Sequence, residues 1–326
     1  MRRTLVWLGI TAVSLYLVAP SLIETLGSWD DLATIAPGWL AAMAALQGAA
    51  LVSLWALQRL AMRVRDWYAV VTSQMAGGAL AKIAPAGGAV GAALQYRLLV
   101  QSGIERTKVV GGLTAANLLA FGVVLALPLL AVPSLFRGGV NRSLIEGAVI
   151  GVAVFAALTG VCATMLAFDR PLAWVGRTVQ RIRNRLRPRA EPLTRFPERL
   201  LRERDRILTT LGPRWKRALL ATVARWAFDY ATLLAALAAV GSHPRPGLVL
   251  LAFCTAQVLA QIPVTPGGLG FVEAGLTATL TLAGVSAGDA VLATFAYRFF
   301  SYWLPMPLGF AALLLHRRRY SSTAPV

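Results

Sequence analysis

The chain has 326 residues, of which 57% are apolar types and 14% are charged. A soluble domain carries about 25% charged residues, so this chain has too few to coat a water-facing surface. With a mean hydropathy of +0.64, the composition argues against disorder, collagen-like repeats and a cytosolic enzyme, and for an integral membrane protein. The net charge of +18 would suggest nucleic acid in a soluble protein. Here the basic residues cluster between apolar runs, which points to membrane topology and anionic lipid, and to no nucleic-acid partner.

A span needs roughly 20 apolar residues. The first candidate is Thr4–Ile23, behind Arg2 and Arg3. No small-x-small cleavage site follows it, so it reads as a retained span with its basic end inside. Glu24, Asp30 and Asp31 form an acidic loop, and Pro37 opens a second span that ends before Arg59, Arg63 and Arg65.

Residues 68–102 form two short apolar halves broken at Ala84-Pro85-Ala86-Gly87-Gly88. Proline removes a backbone donor and glycine weakens a helix, so the chain breaks there. A re-entrant hairpin fits best, and two thin tilted spans would leave the same sidedness. Further full spans follow at Lys108–Val132, Leu144–Phe168 and Ala218–Val240. A second broken pair, 248–263 and 267–283, is interrupted by Pro263-Val264-Thr265-Pro266-Gly267-Gly268. The last span is Ala287–Leu315, before His316-Arg317-Arg318-Arg319.

Between the two membrane halves lies a basic loop. Residues 170–217 hold fifteen Lys and Arg against four acids, a surplus of eleven. Within it Leu172, Val175, Val179, Ile182 and Leu186 recur at helical spacing among arginines. That pattern suits a helix on the anionic inner leaflet. Equally, the charge alone would hold the loop inside. Residues 198–211 read as a second surface helix.

With the N-terminus inside, the heaviest basic segments all fall on the cytoplasmic side, as does the C-terminus. Arg137 and Arg142, in the loop 133–143, count weakly against this. The first broken pair then enters from the cytoplasm and the second from outside. At a constant offset Pro85 maps to Pro266, Gly87 to Gly268, Ala93 to Ala274 and Gly103 to Gly284. The expected fold is therefore an all-α integral membrane protein with six full transmembrane helices and two broken re-entrant pairs, about eight apolar segments, arranged as an inverted repeat. The expected organisation is a first membrane half at 1–168, a basic cytosolic loop at 169–217 and a second membrane half at 218–326.

Irregular backbone survives in hydrocarbon only when buried in protein or lining a wet cavity. Each break frees amides at the start of a half-helix, near Gly88 and Gly268, where an anion is favoured; close packing through small residues would also explain the glycines. Ionisable residues inside spans are costly and usually functional or paired. Lys82 and Arg97 flank the first break, either at the site or snorkelling to the inner surface. Glu273 follows the second break. Arg298 lies too deep to snorkel easily, with Glu273 as its expected partner. Arg225 and Asp229 sit four apart on one helix face and are expected to neutralise each other.

The candidate substrate-binding residues are thus Lys82, Pro85, Gly87, Gly88 and Arg97 around the first break. Around the second they are Pro266, Gly267, Gly268, Gly270, Glu273, Tyr297 and Arg298. No catalytic residue, metal site or cofactor is expected. His243 and His316 are far apart in sequence, and no G-x-S-x-G, Walker or dinucleotide motif appears. Cys162 and Cys254 both lie in apolar runs and read as small core residues rather than a disulfide framework.

The run from Pro263 through Glu273, with Gly284-Val285 and Tyr297-Arg298-Phe299-Phe300-Ser301-Tyr302-Trp303-Leu304-Pro305, resembles the lysylphosphatidylglycerol synthase transmembrane region, also known as the flippase-like domain family. Ala84–Arg97 resembles the family's first Pro/Gly motif more loosely. The resemblance implies a multi-pass protein of the inner cell membrane that moves or handles lipids, with anionic headgroups as ligands. No aminoacyl-transferase domain is expected after the last span, and so no lysine transfer. The leading expectation is a lipid flippase acting on an anionic or modified phospholipid or a polyprenyl lipid. The alternatives are a scaffold whose basic loop recruits a separate lipid-modifying enzyme, or a membrane glycosyl or headgroup transferase.

Overall fold

The structure is a computed structural model. It describes residues 35–84, 87–131, 153–186 apart from 158, 162 and 166, residue 192, and 194–260 and 266–320. The expected first span Thr4–Ile23, the acidic loop after it and the loop 133–143 lie outside the described residues, as do Pro85 and the stretch Gln261–Thr265.

Among the described residues the fold is helical, with no strand. The helices are α1 (Pro37–Met62), α2 (Trp67–Ile83), α3 (Gly87–Gln101) and α4 (Arg106–Ala126). Next comes α5 (Ala153–Met165). The series continues with α6 (Asp169–Leu186), α7 (Phe196–Leu211), α8 (Trp215–Ala239), α9 (Pro246–Leu259), α10 (Phe271–Leu282), α11 (Ala287–Arg298) and α12 (Pro305–Tyr320). A π-turn, Phe299–Trp303, joins α11 to α12 into one long rod.

Three stretches are long and apolar enough to cross a membrane: Pro37–Met62, Arg106–Leu130 and Ala287–Tyr320. The bent pair α5–α6 makes a fourth if it counts as one span. The chain is therefore a multi-pass membrane protein. Helix α8 spans 25 residues, about 37 Å at 1.5 Å per residue. It is long enough to cross but falls short on apolarity, because it carries Lys216, Arg217, Arg225 and Asp229.

Both expected breaks are present as pairs of short helices. Helices α2 and α3 have 17 and 15 residues, and α9 and α10 have 14 and 12. Each falls short of the roughly 30 Å hydrocarbon core. The second half-helix of the later pair starts at Phe271, behind Gly270, rather than near Gly268 as the sequence suggests. The reason is a separate short turn at Pro266–Gly268, which holds that stretch out of the helix.

Contacts between helix ends show which way each pair enters. At the start of α2 the Tyr68 hydroxyl donates to the Leu315 carbonyl near the end of α12, at 3.0 Å. At the end of α3 Ser102 Oγ lies 3.3 Å from His316 Nε2 on the same end of α12. The α2–α3 pair therefore opens and closes at one end of the bundle. Arg63, Arg65 and Arg317–Arg319 gather at that end. Helix α8 starts there too and carries the chain to the other end, where Tyr230 donates to the Pro246 carbonyl at the head of α9. The α9–α10 pair enters from that side. The Pro266–Gly268 turn packs against α2 and α3, so the two breaks meet inside the bundle.

Packing follows membrane rules, with small residues where backbones approach closely. Gly309 of α12 lies against the Met75 carbonyl and Ala79 of α2, and Gly112 of α4 lies against Met62. The largest buried cluster joins α8 to α11, with Phe253 at its centre. Phe253 meets Trp226 and Tyr297 edge-on, at 6.0 and 6.4 Å.

The basic end is tied by polar bonds. His316 is buried between Thr72 Oγ1 at 2.6 Å and the Leu98 carbonyl at 3.1 Å. Asp66 caps α2 by accepting the Ala69 amide at 3.0 Å and takes the Tyr320 hydroxyl at 2.7 Å. Partial burial pushes the Asp66 carboxyl up, but hydrogen bonds from Tyr320 and from the Ala69 and Tyr68 amides outweigh it and hold it below 3.8. A carboxylate lowered in the fold stabilises it above the unfolded value and loses that contribution as pH falls through the folded value. Acid unfolding followed by circular dichroism should therefore lose stability below about pH 4. Asp66→Asn keeps an oxygen for the Ala69 amide and should flatten that limb, whereas Asp66→Ala should also weaken the neutral-pH fold by about 1 kcal/mol, the size of a lost helix cap.

Candidate functional site

Where the breaks meet, the bundle encloses a cavity of about 660 Å³. Lys82, Gly87 and Gly88 line it from the first break, Gly267 and Gly268 from the second, Arg225 and Asp229 from α8, and Tyr297, Arg298 and Tyr302 from the last rod. Gln47, Gln74 and Gln257 add neutral polar groups.

Counted along the helices, these groups lie deep in the bundle. Arg225 lies about 15 Å into α8 and Arg298 about 17 Å into α11 from the opposite end, while Lys82 lies about 22 Å into α2. A charge at that depth is costly unless it is paired or serves a ligand. Arg298 Nε meets Glu273 Oε1 at 2.6 Å, with the two side chains 8% and 13% exposed. The expected pairing is thus present. It uses one nitrogen and one oxygen: Arg298 Nη2 and Glu273 Oε2 are buried without a partner, as is Gln47 Oε1. Buried polar atoms are nearly always bonded, so this cluster departs from the norm.

The remaining charges depart in part from the sequence expectation. Arg225 and Asp229 are near enough for their charges to act on each other, as expected, but they make no direct contact. The Arg225 guanidinium lies over Trp226, 4.1 Å from the ring centre. Asp229 instead accepts the Tyr297 hydroxyl at 3.1 Å, and Tyr297 in turn accepts the Gln257 amide at 3.0 Å. Lys82 does not snorkel. It donates to the Ser301 and Tyr302 carbonyls at 3.0 and 2.8 Å, and the Tyr302 hydroxyl returns a bond to the Lys82 carbonyl at 2.7 Å. Arg298 also stacks on Tyr302, 4.2 Å from its centre. Counting Glu273, three basic side chains face two acidic ones.

Two glycines allow the close packing at the breaks, the first within its own pair and the second against the last rod. A Cβ at Gly87 would collide with the Ala81 carbonyl, which is backbone and cannot step aside. Gly267 has φ 62°, and a Cβ there would run into the Tyr302 phenol. Left-handed backbone costs an L-residue roughly 1–2 kcal/mol before any clash. Gly267→Ala should therefore lower the unfolding temperature and push Tyr302 off Lys82; fluorescence-detected melting of the purified protein would read the first.

Of the sequence candidates, Lys82, Gly87, Gly88, Gly267, Gly268, Tyr297 and Arg298 come together at the cavity. Glu273 stands behind Arg298, and Gly270 caps α10 with φ 76° without lining the space. Pro266 belongs to the turn of the second break. Arg97 is not brought in: it is exposed on α3. Pro85 lies outside the described residues. Sequence reasoning missed Tyr302 and the three glutamines as lining groups, although an amide within an apolar run is itself an intramembrane polar signal.

A helical, multi-pass membrane protein with a buried cationic cavity between two helix breaks is the class these features define. The chain belongs to the lysylphosphatidylglycerol synthase TM region family, whose family model matches residues 5–309. The family ties it to lipid handling in the membrane. No curated protein matches it significantly, and neither does any solved structure.

Proposed function

We propose that the chain is a flippase-like transporter that carries the anionic headgroup of a phospholipid or polyprenyl lipid between leaflets. The observation that carries this reading is the cavity deep in the bundle, with Lys82, Arg225 and Arg298 around a space larger than a phosphate. A surplus of positive charge away from water favours an anion. The unpartnered Nη2 of Arg298 offers it a donor. Gly87 and Gly88, at the start of α3, line the same space and bring the positive end of a helix dipole to it.

The wider reading is an inverted repeat of six full spans and two re-entrant pairs, divided at the basic loop 169–217. Entry of α2–α3 and α9–α10 from opposite ends supports it, as does the shared spacing of Pro85/Pro266 and Gly87/Gly268. The arginines collected at one end support cytoplasmic termini in the cell membrane.

The test is reconstitution of the pure protein in liposomes with fluorescent lipids, with leaflet exchange read by dithionite quenching. Faster exchange of anionic than of zwitterionic headgroups is expected. Equal exchange of all headgroups, or none, overturns the reading.

A further inference from the structure

The basic segment has a built surface that transport itself does not explain. Helix α5 is apolar, and α6 leaves its axis at 95°. If α5 follows the bilayer normal, α6 runs in the plane of the membrane surface. Along α6 Val175, Val179 and Ile182 recur at steps of four and three, which keeps them on one helix face, and Phe168 stands at the bend just before it. Phe168 is 62% exposed, Val179 42% and Ile182 53%. Arg181 and Arg185 are exposed on the flank, with Trp174 beside them at 63%, while Arg177 is exposed on the opposite side of the helix.

Another side of α6 is already taken. Gly176 lies against Pro197 and Leu200 of the α7 segment, where a Cβ would come within 2.8 Å of Pro197 Cα. Gln180 Oε1 accepts the Phe196 amide at 3.2 Å, and Arg204 meets Asp169 at 2.5 Å. Helix α7 packs in turn on α1 and α4, and Arg63 donates to the Thr209 carbonyl at 3.1 Å. The α6–α7 pair is therefore fixed at the basic end of the bundle, where the spans leave the membrane.

We propose that α6 is an interfacial helix that seats its Val175–Ile182 stripe, with Phe168 at its head, in an anionic phospholipid leaflet, with Arg181 and Arg185 holding the lipid phosphates. An exposed apolar stripe marks an interaction surface. Flanking arginines match an anionic leaflet, and an adjoining span turning through a right angle delivers the helix to the headgroup layer. This favours the leaflet reading over a loop held inside by charge alone. The proposal does not rest on the cavity or on transport.

The full-length protein tests it. In a background with Cys162 and Cys254 replaced, Ile182→Cys is labelled with an environment-sensitive fluorophore. It is reconstituted with phosphatidylcholine alone or mixed with phosphatidylglycerol. Quenching by shallow spin-labelled lipids and a blue-shifted emission are expected in the mixed vesicles. Exchange of Arg181 and Arg185 for Gln should remove the phosphatidylglycerol dependence, and Arg177→Gln should not. Two basic contacts correspond to a loss on the order of 30-fold in local enrichment of anionic lipid. A label that stays water-exposed in both vesicle types overturns the proposal. Equal quenching in both overturns the role assigned to the arginines. Circular dichroism and retained membrane insertion of the labelled protein keep misfolding from imitating either result.

Discussion

Arg298→Ala abolishes headgroup-selective exchange while the protein still inserts into the membrane: that is the result expected if the cavity binds an anionic headgroup. The variant alone does not separate binding from folding. Arg298 neutralises Glu273 at 2.6 Å in a buried pair. Removing one partner of such a pair typically costs 3–5 kcal/mol, because the other charge is stranded. The double variant Arg298→Ala, Glu273→Gln removes both charges and should regain much of the lost thermal stability. Exchange should stay lost, since nothing replaces the free guanidinium nitrogen. A double variant that exchanges anionic lipid at the native rate would reduce Arg298 to a structural counter-ion. Arg298→Lys adds a second discrimination. Lysine keeps the charge but gives up the planar fork that reaches Glu273 and stacks on Tyr302. Loss of one charge-assisted bond of about 1.5–3 kcal/mol corresponds to a rate lower by about ten- to a hundredfold. Dithionite-quenching rates normalised to reconstituted protein would read all three variants.

The sequence carries the broken helices because proline and glycine act locally. Pro85, Gly87, Pro266 and Gly267 each disfavour helix whatever surrounds them. The two surface helices are legible for the same kind of reason: α6 and α7 alternate leucine, valine and isoleucine with arginine at helical spacing. The Arg298–Glu273 pair follows from cost, since a lone arginine at that depth demands an acid. What sequence does not carry is choice among several possible partners. Arg225 and Asp229 are four apart on α8, and local spacing favours their pairing. The fold instead brings α11 alongside α8, so Asp229 finds Tyr297, and Arg225 finds the face of its own neighbour Trp226. Lys82 likewise sits at a helix end from which a long side chain snorkels when water is within reach. Here the last rod packs against the end of α2, and its Ser301 and Tyr302 carbonyls hold the ammonium inside the bundle. The π-turn at Phe299–Trp303 is marked in the sequence only by Pro305 after it, which has no amide for the Ser301 carbonyl; its own residues are ordinary aromatic ones in a continuous run.

That π-turn makes Lys82 the second position with a large expected effect. A π-turn shifts the hydrogen-bond register and leaves carbonyls without their usual helical donors. In hydrocarbon such groups must be satisfied from within the protein. Lys82 Nζ does this for Ser301 and Tyr302 together, and Tyr302 answers through its hydroxyl. The first break and the kink in the last rod are thereby clasped across the cavity floor. Lys82→Met keeps length and packing but supplies no donor, so two carbonyls are left bare. At roughly 1–3 kcal/mol for each buried unmet group, stability should fall by several kcal/mol. Arg97→Met, on the exposed side of α3, should change it by less than about 0.5 kcal/mol. Unfolding temperatures of the two variants in one detergent would show the contrast. Lys82 has a further reach, since its ammonium also lines the cavity. An arriving phosphate competes with the two carbonyls for the same three N–H donors, so headgroup binding would loosen the clasp between break and kink. On that account Lys82→Met loses both stability and anionic selectivity. A variant that is less stable yet keeps its preference for anionic lipid, rate for rate, would leave Lys82 as a strut and assign headgroup recognition to Arg298 and Arg225.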